Sequence, residues 1–192
     1  MITIKKRTHR TAMAPNTSSG LVTANAVLRI FDKKKMAVRD DGRCWIYVVM
    51  VAMGKYVAKP KRGCRVCDPS PEESVIANEM CNAISHEFPE ITKEPDYAGE
   101  RSKDDFFGAY GGTEQWQVLA PLYNLLIILW DPRSNGLMND SSATFFCVYP
   151  NGRMFKKTAD EILKAVLDVG GNTTVVHAAW SNTIEAHFDV YA

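Results

Sequence analysis

The stretch Asp40-Asp41-Gly42-Arg43-Cys44-Trp45-Ile46-Tyr47-Val48-Val49-Met50-Val51-Ala52-Met53 runs from a charged, glycine-containing loop straight into an apolar segment. From Cys44 onward, Trp45, Val48, Val49, Ala52, Met53 and then Tyr56 recur at steps of three and four. This spacing predicts a helix buried over much of its circumference. The first N–H groups of a helix have no partner within it, and its macrodipole is positive at that end. A cysteine there is placed to be held as a thiolate. The backbone of Gly42, Arg43 and Cys44 could offer the same amides to a developing oxyanion. The plainer alternative is that Cys44 is a small buried hydrophobe.

Outward from this segment, residues 1–20 are polar, without apolar period, and read as a tail; residues 21–192 read as a single domain. Ala26–Phe31 and Met36–Val38 suggest a small hairpin around Asp32-Lys33-Lys34-Lys35. After Pro60, Gly63, Pro69 and Pro71, a second helix is expected from Glu72 to about Phe88, and a short third over Lys103 to Tyr110. Gly111-Gly112-Thr113 opens a fourth, with Trp116, Leu119, Ala120 and Tyr123 on its apolar face. Leu125–Trp130 and Thr144–Tyr149 read as strands, with Pro150-Asn151-Gly152 as a turn. Thr158-Ala159-Asp160-Glu161 has capping-box spacing ahead of one more helix, which Gly170-Gly171 closes. Thr173–Trp180 and Ile184–Tyr191 form a terminal hairpin across Ser181-Asn182-Thr183.

The last strand supplies the partners a nucleophilic cysteine needs. Ile184, Ala186, Phe188 and Val190 alternate with Glu185, His187, Asp189 and Tyr191, so His187 and Asp189 share a face. A carboxylate two residues along can orient an imidazole, which can then act as base for a thiol. The alternative is an ordinary exposed strand face. His177 is a rival base, 133 residues after Cys44, a spacing also met in papain-like proteases. That pattern needs a Gln where Val38 stands and an Asn well beyond the His, whereas the last Asn here, Asn182, follows His177 by only five residues. His177 is expected to be a strand residue near the core.

Charge is unevenly spread: residues 1–67 hold fifteen Lys or Arg against three Asp, and the remainder eight against nineteen acids. Residues 68–105 alone hold eleven acids. A basic front half raises the question of nucleic acid, but residues 1–40 contain Phe31 as their one aromatic, so no base-stacking surface is expected. The acidic run would suit a basic protein partner; the alternative is that it balances the basic half. The apolar runs fall short of the ~20 residues of a membrane span, no secretory leader is evident, and five scattered cysteines fit a reducing compartment, so a cytoplasmic location is expected. Cys64, Cys67, Cys81 and His86 mimic a zinc set, but Cys81 and His86 turn about 140° apart on one helix and do not converge. Cys147 reads as packing. No metal and no cofactor are expected.

Three blocks in order, Asp41-Gly42-Arg43-Cys44, then Tyr110-Gly111-Gly112-Thr113-Glu114 with Leu119-Ala120, then His187-Phe188-Asp189, resemble the ovarian-tumour (OTU) family of cysteine proteases. That family shows Asp-Gly-Asn-Cys-Leu-Phe, Trp-Gly-Gly with Glu-Leu-x-Ala-Leu-Ala, and His-Tyr-Asp. The resemblance spans about residues 25–192. It implies an α+β, papain-related fold with a helical lobe packed on a small mixed sheet. It also implies Cys44 as nucleophile, His187 as general base, Asp189 as its orienting acid and Asp41 as a residue shaping the oxyanion loop. The substrates it implies are ubiquitin or ubiquitin-like conjugates, cleaved through a thioester. Arg43 in place of Asn, Trp45-Ile46-Tyr47 in place of Leu-Phe-Arg and Tyr110 in place of Trp mark a divergent member. A polyprotein-type protease of the same fold and a binding module without turnover are the alternatives.

Overall fold

A computed structural model describes residues 21–39, 42–60, 69–87, 113–133, 135–181 and 187–192. In chain order the elements are α1 (Ala24–Ile30), β1 (Lys35–Ala37), α2 (Cys44–Ala52), β2 (Lys59–Pro60), α3 (Pro71–Glu87) and α4 (Thr113–Tyr123). They continue with β3 (Leu125–Trp130), α5 (Asn135–Asn139), β4 (Thr144–Val148), β5 (Met154–Thr158), α6 (Ala159–Asp168), β6 (Thr174–Trp180) and β7 (Phe188–Tyr191). The chain is an α+β fold. Among the described residues one mixed sheet runs in the order β2-β1-β7-β6-β3-β4-β5. Its central β3–β6 pair is parallel and its other pairs are antiparallel.

The sequence of β3, Leu-Leu-Ile-Ile-Leu-Trp, explains the layering. A strand apolar at every position has no face to offer water, so both faces of the sheet must be covered. All six residues are buried. Leu125, Ile127 and Leu129 join α2, α3 and α4 in one core, whereas Leu126, Ile128 and Trp130 join α1, α6 and Met138 of α5 in a second. The expected single helical lobe is therefore corrected: helices lie on both sides of the sheet.

α1 is a second correction, because the expected hairpin is a helix. Thr23 caps it, its hydroxyl accepting from the Ala26 N–H at 3.3 Å, and Ala24, Val27 and Leu28 bury one stripe at steps of three and one. Seven residues are too few for that period to stand out in sequence. The helices at Cys44, Pro71, Thr113 and Ala159 and the strands at Leu125 and Thr144 lie where the periodicity puts them. Thr158 and Glu161 form the capping box, each side chain bonding the other's backbone N–H. Strand β5, unpredicted, pairs with β4 across the Pro150-Asn151-Gly152 turn. Gly152 has φ +78°, and a Cβ there would meet the Gln117 carbonyl oxygen at 2.7 Å. Only glycine fits that turn. The predicted 1–20 tail and Lys103–Tyr110 helix lie outside the described residues.

Candidate active site

The site is built at one end of the sheet. Helix α2 starts at Cys44 and is buried from Cys44 through Met50, packing in one core with β6 residues Val176 and Ala178 and β7 residues Phe188 and Val190. Its entry is fixed locally. Gly42 takes φ +84°, a left-handed conformation that favours glycine. The Trp45 indole N–H donates to the Gly42 carbonyl at 3.1 Å, and the Arg43 guanidinium donates to Asn78 of α3 at 2.8 Å. The Cys44 side chain is 2% exposed. Asp41, the residue assigned to shape this loop, lies outside the described residues, as do Tyr110, Gly111 and Gly112 of the second block.

His187 and Asp189 meet directly. His187 Nε2 lies 3.2 Å from Asp189 Oδ1, and Asp189 is 1% exposed. An ordinary exposed strand face is excluded by that burial. Phe188 and Val190 face α2, so the alternation of β7 turns Asp189 toward the opposite layer. His187 stands just before β7, at the sheet's end, where its carbonyl accepts from the Ser181 N–H at 2.9 Å. Burial raises the Asp189 carboxyl, but the hydrogen bonds from His187 and Ser181 and the charge of Lys35 outweigh it, lowering it to about 2. The carboxylate is ionised at every working pH.

Trp116 of α4 joins the helix that begins at Cys44 to the strand that follows His187. Its indole N–H donates to the Trp45 carbonyl at 3.0 Å, and its ring packs on Phe188 with centroids 4.8 Å apart. One contact is a residue from Cys44 and the other a residue from His187. Trp116→Phe keeps an aromatic ring but removes this indole bond; Trp45 lies in the first turn of α2, where its carbonyl keeps its helical partner, so the expected cost is about 0.5–1.5 kcal/mol. Urea unfolding should show that loss. Reaction at Cys44 should slow as well, since the two elements lose their common tie.

His177 is on β6, on the face away from α2 that Asp189 of the paired β7 also takes. The indole of Trp130 donates to its Nδ1 at 3.1 Å and lies parallel to its ring, and Phe31 packs near it. Burial, with a smaller contribution from Lys33, lowers its basicity to about 4. The histidine is a neutral core residue, and Val176 and Ala178, its neighbours in the strand, are the residues that face α2. Cys147, on β4, is fully buried; burial pushes its thiol up to about 12, partly offset by Tyr149 and Lys157. Cys64 and Cys67 lie outside the described residues, Cys81 is buried on α3 and His86 is exposed there. No group of three metal-ligating side chains occurs among the described residues.

Sequence reasoning missed Lys35 and Ser181, two further partners of Asp189. Lys35 stands in the run of three lysines that separates the two arms of the expected hairpin, and Ser181 in the loop of the terminal one. The one available signal was the placement of Ser181 directly after the strand that pairs with β7. Comparison with known proteins adds no relative: no family model matches the chain, and no curated protein or solved structure matches it. No helix among the described residues is long and apolar enough to cross a membrane.

Proposed function

We propose that this chain is a cysteine-dependent hydrolase of the OTU type, acting on ubiquitin or ubiquitin-like conjugates. The observation that carries the reading is the buried Asp189 carboxylate, one oxygen of which is committed to His187, on a strand packed against the helix that Cys44 begins. A buried carboxylate is costly to desolvate and is a poor way to gain stability. Orienting a histidine on the strand that packs against the cysteine's helix gives it a chemical use. The order of the three sequence blocks supports the substrate class.

In this reading Cys44 Sγ attacks the carbonyl carbon of the scissile amide, its proton passing to His187. The developing oxyanion meets the amides at the start of α2. His187 then gives the proton to the leaving amine, the C–N bond breaks, and a thioester to Cys44 remains. His187 next takes a proton from water, which attacks the thioester carbon; the C–S bond breaks, the acyl group leaves as the carboxylate product, and the imidazole returns its proton to Cys44. Asp189 holds the imidazole's orientation and stabilises its charged form.

The test is incubation of the full chain with ubiquitin carrying a C-terminal electrophile, followed by intact mass and peptide mapping. One adduct, mapped to Cys44, supports the reading. No adduct, or an adduct on Cys81 or Cys147, overturns it. Cleavage of peptide bonds without reaction toward ubiquitin would move the chain to the polyprotein-type alternative.

A further inference from the structure

The two oxygens of the Asp189 carboxylate are divided between different partners. Oδ1 faces His187. Oδ2 accepts a hydrogen bond from the Ser181 hydroxyl and lies 3.3 Å from Lys35 Nζ. Both partners are fixed to β7 through the backbone. Ser181 donates its N–H to the His187 carbonyl, and Lys35 pairs in register with Tyr191. Reciprocal bonds between Lys34 and Ala192, each 3.0 Å, close the strand pair beside it. The Asp189 side chain is 2% exposed and that of Lys35 28%, so a buried carboxylate is met by a partly solvated ammonium.

This placement puts two cationic groups on one carboxylate. A protonated His187 and Lys35 both draw on the same negative charge, and they repel each other. We propose that Lys35 is a positioning residue for the Asp189–His187 pair, with Ser181 fixing the carboxylate plane and Lys35 limiting how strongly the carboxylate draws a proton onto His187. The inference rests on the reading of this pair as the orienting acid and base. Among the described residues the groups facing Asp189 include Lys35 from β1, Ser181 beyond β6, and His187 and Tyr191 on either side of it; α2 brings Cys44 to the neighbouring core. Burial, with the Asp189 charge adding to it, raises the Tyr191 phenol, which stays neutral. Lys35 is a cationic neighbour of this carboxylate, and its removal changes the charge around the pair.

The experiment is an NMR titration of the His187 ring in the full chain, comparing wild type with Lys35→Met, Lys35→Gln, Lys35→Arg and, as a neighbouring control, Lys34→Met. Loss of the Lys35 charge should raise the His187 midpoint by roughly one unit. Lys35→Arg and Lys34→Met should leave it near the wild-type value. The pH limb of kcat/KM that His187 governs should move upward with the same variants. An unchanged midpoint in both Lys35→Met and Lys35→Gln, even with lowered stability, overturns the inference and makes Lys35 merely structural. The titration needs no turnover, so it judges Lys35 even if the ubiquitin electrophile fails to label Cys44. Labelling at Cys44 with no shift in the titration would leave the hydrolase reading standing and the inference refuted.

Discussion

Cys44→Ala is expected to abolish hydrolysis of a ubiquitin C-terminal fluorogenic amide, and His187→Ala to lower its turnover by about 10² to 10⁴-fold, or about 3–5 kcal/mol of barrier. The two losses have different origins. In the proposed reaction, removing Sγ removes the atom that is acylated, and no second thiol among the described residues is placed to replace it. Cys147 is fully buried with its thiol pushed up to about 12, so it stays neutral, and Cys81 lies within α3. Removing the imidazole leaves the thiol and the oxyanion amides but no group to carry the proton. Circular dichroism should be unchanged in Cys44→Ala, since the substitution removes little volume. Retained turnover in that variant would refute the assignment of the nucleophile. An active His187→Ala beside an inactive but folded His177→Ala would point instead to a papain-like arrangement.

The second large effect concerns stability toward acid and resides in the other layer. His177 accepts a hydrogen bond from Trp130 and binds a proton only near pH 4 when folded, against about 6.5 when unfolded. Between those values the unfolded chain holds a proton that the folded chain does not. The stabilisation is thus complete above about pH 6.5 and falls as pH drops toward 4, by about 3 kcal/mol. His177→Phe should flatten that part of the curve, while lowering stability at pH 7 through the unpaired Trp130 N–H. Urea unfolding at a series of pH values measures both. Asp189 acts in a lower window. Its carboxyl is held at about 2, below its unfolded value, so its contribution is present above about pH 4 and is lost as pH falls through 2. An equal acid slope in wild type and His177→Phe between pH 6.5 and 4 would show that other groups govern this window.

Much of this arrangement was legible in the residues themselves. The start of α2 at Cys44, the doubly buried β3, the capping box at Thr158 and the pairing of His187 with Asp189 all follow from local period and spacing. These features are set by neighbours in sequence, where pattern is informative. α1 and β5 were not legible. The first is too short for its stripe to stand out, and the second, Met154-Phe155-Lys156-Lys157-Thr158, gives no clean alternation of apolar and polar. Lys35 was missed for a deeper reason. Its meaning comes from pairing with a strand at the far end of the chain, and no short-range pattern encodes that.

That pairing also orders events in time. Met36 is matched to Val190 and Lys35 to Tyr191, so nearly the whole described chain must close as a loop before the ammonium reaches its carboxylate. Closure over long separations delays contact formation, whereas helices and the β4–β5 hairpin draw on near neighbours. During refolding from urea, far-ultraviolet ellipticity should therefore return before the tuned imidazole does. Between those two moments the molecule would hold most of its architecture and still be chemically silent.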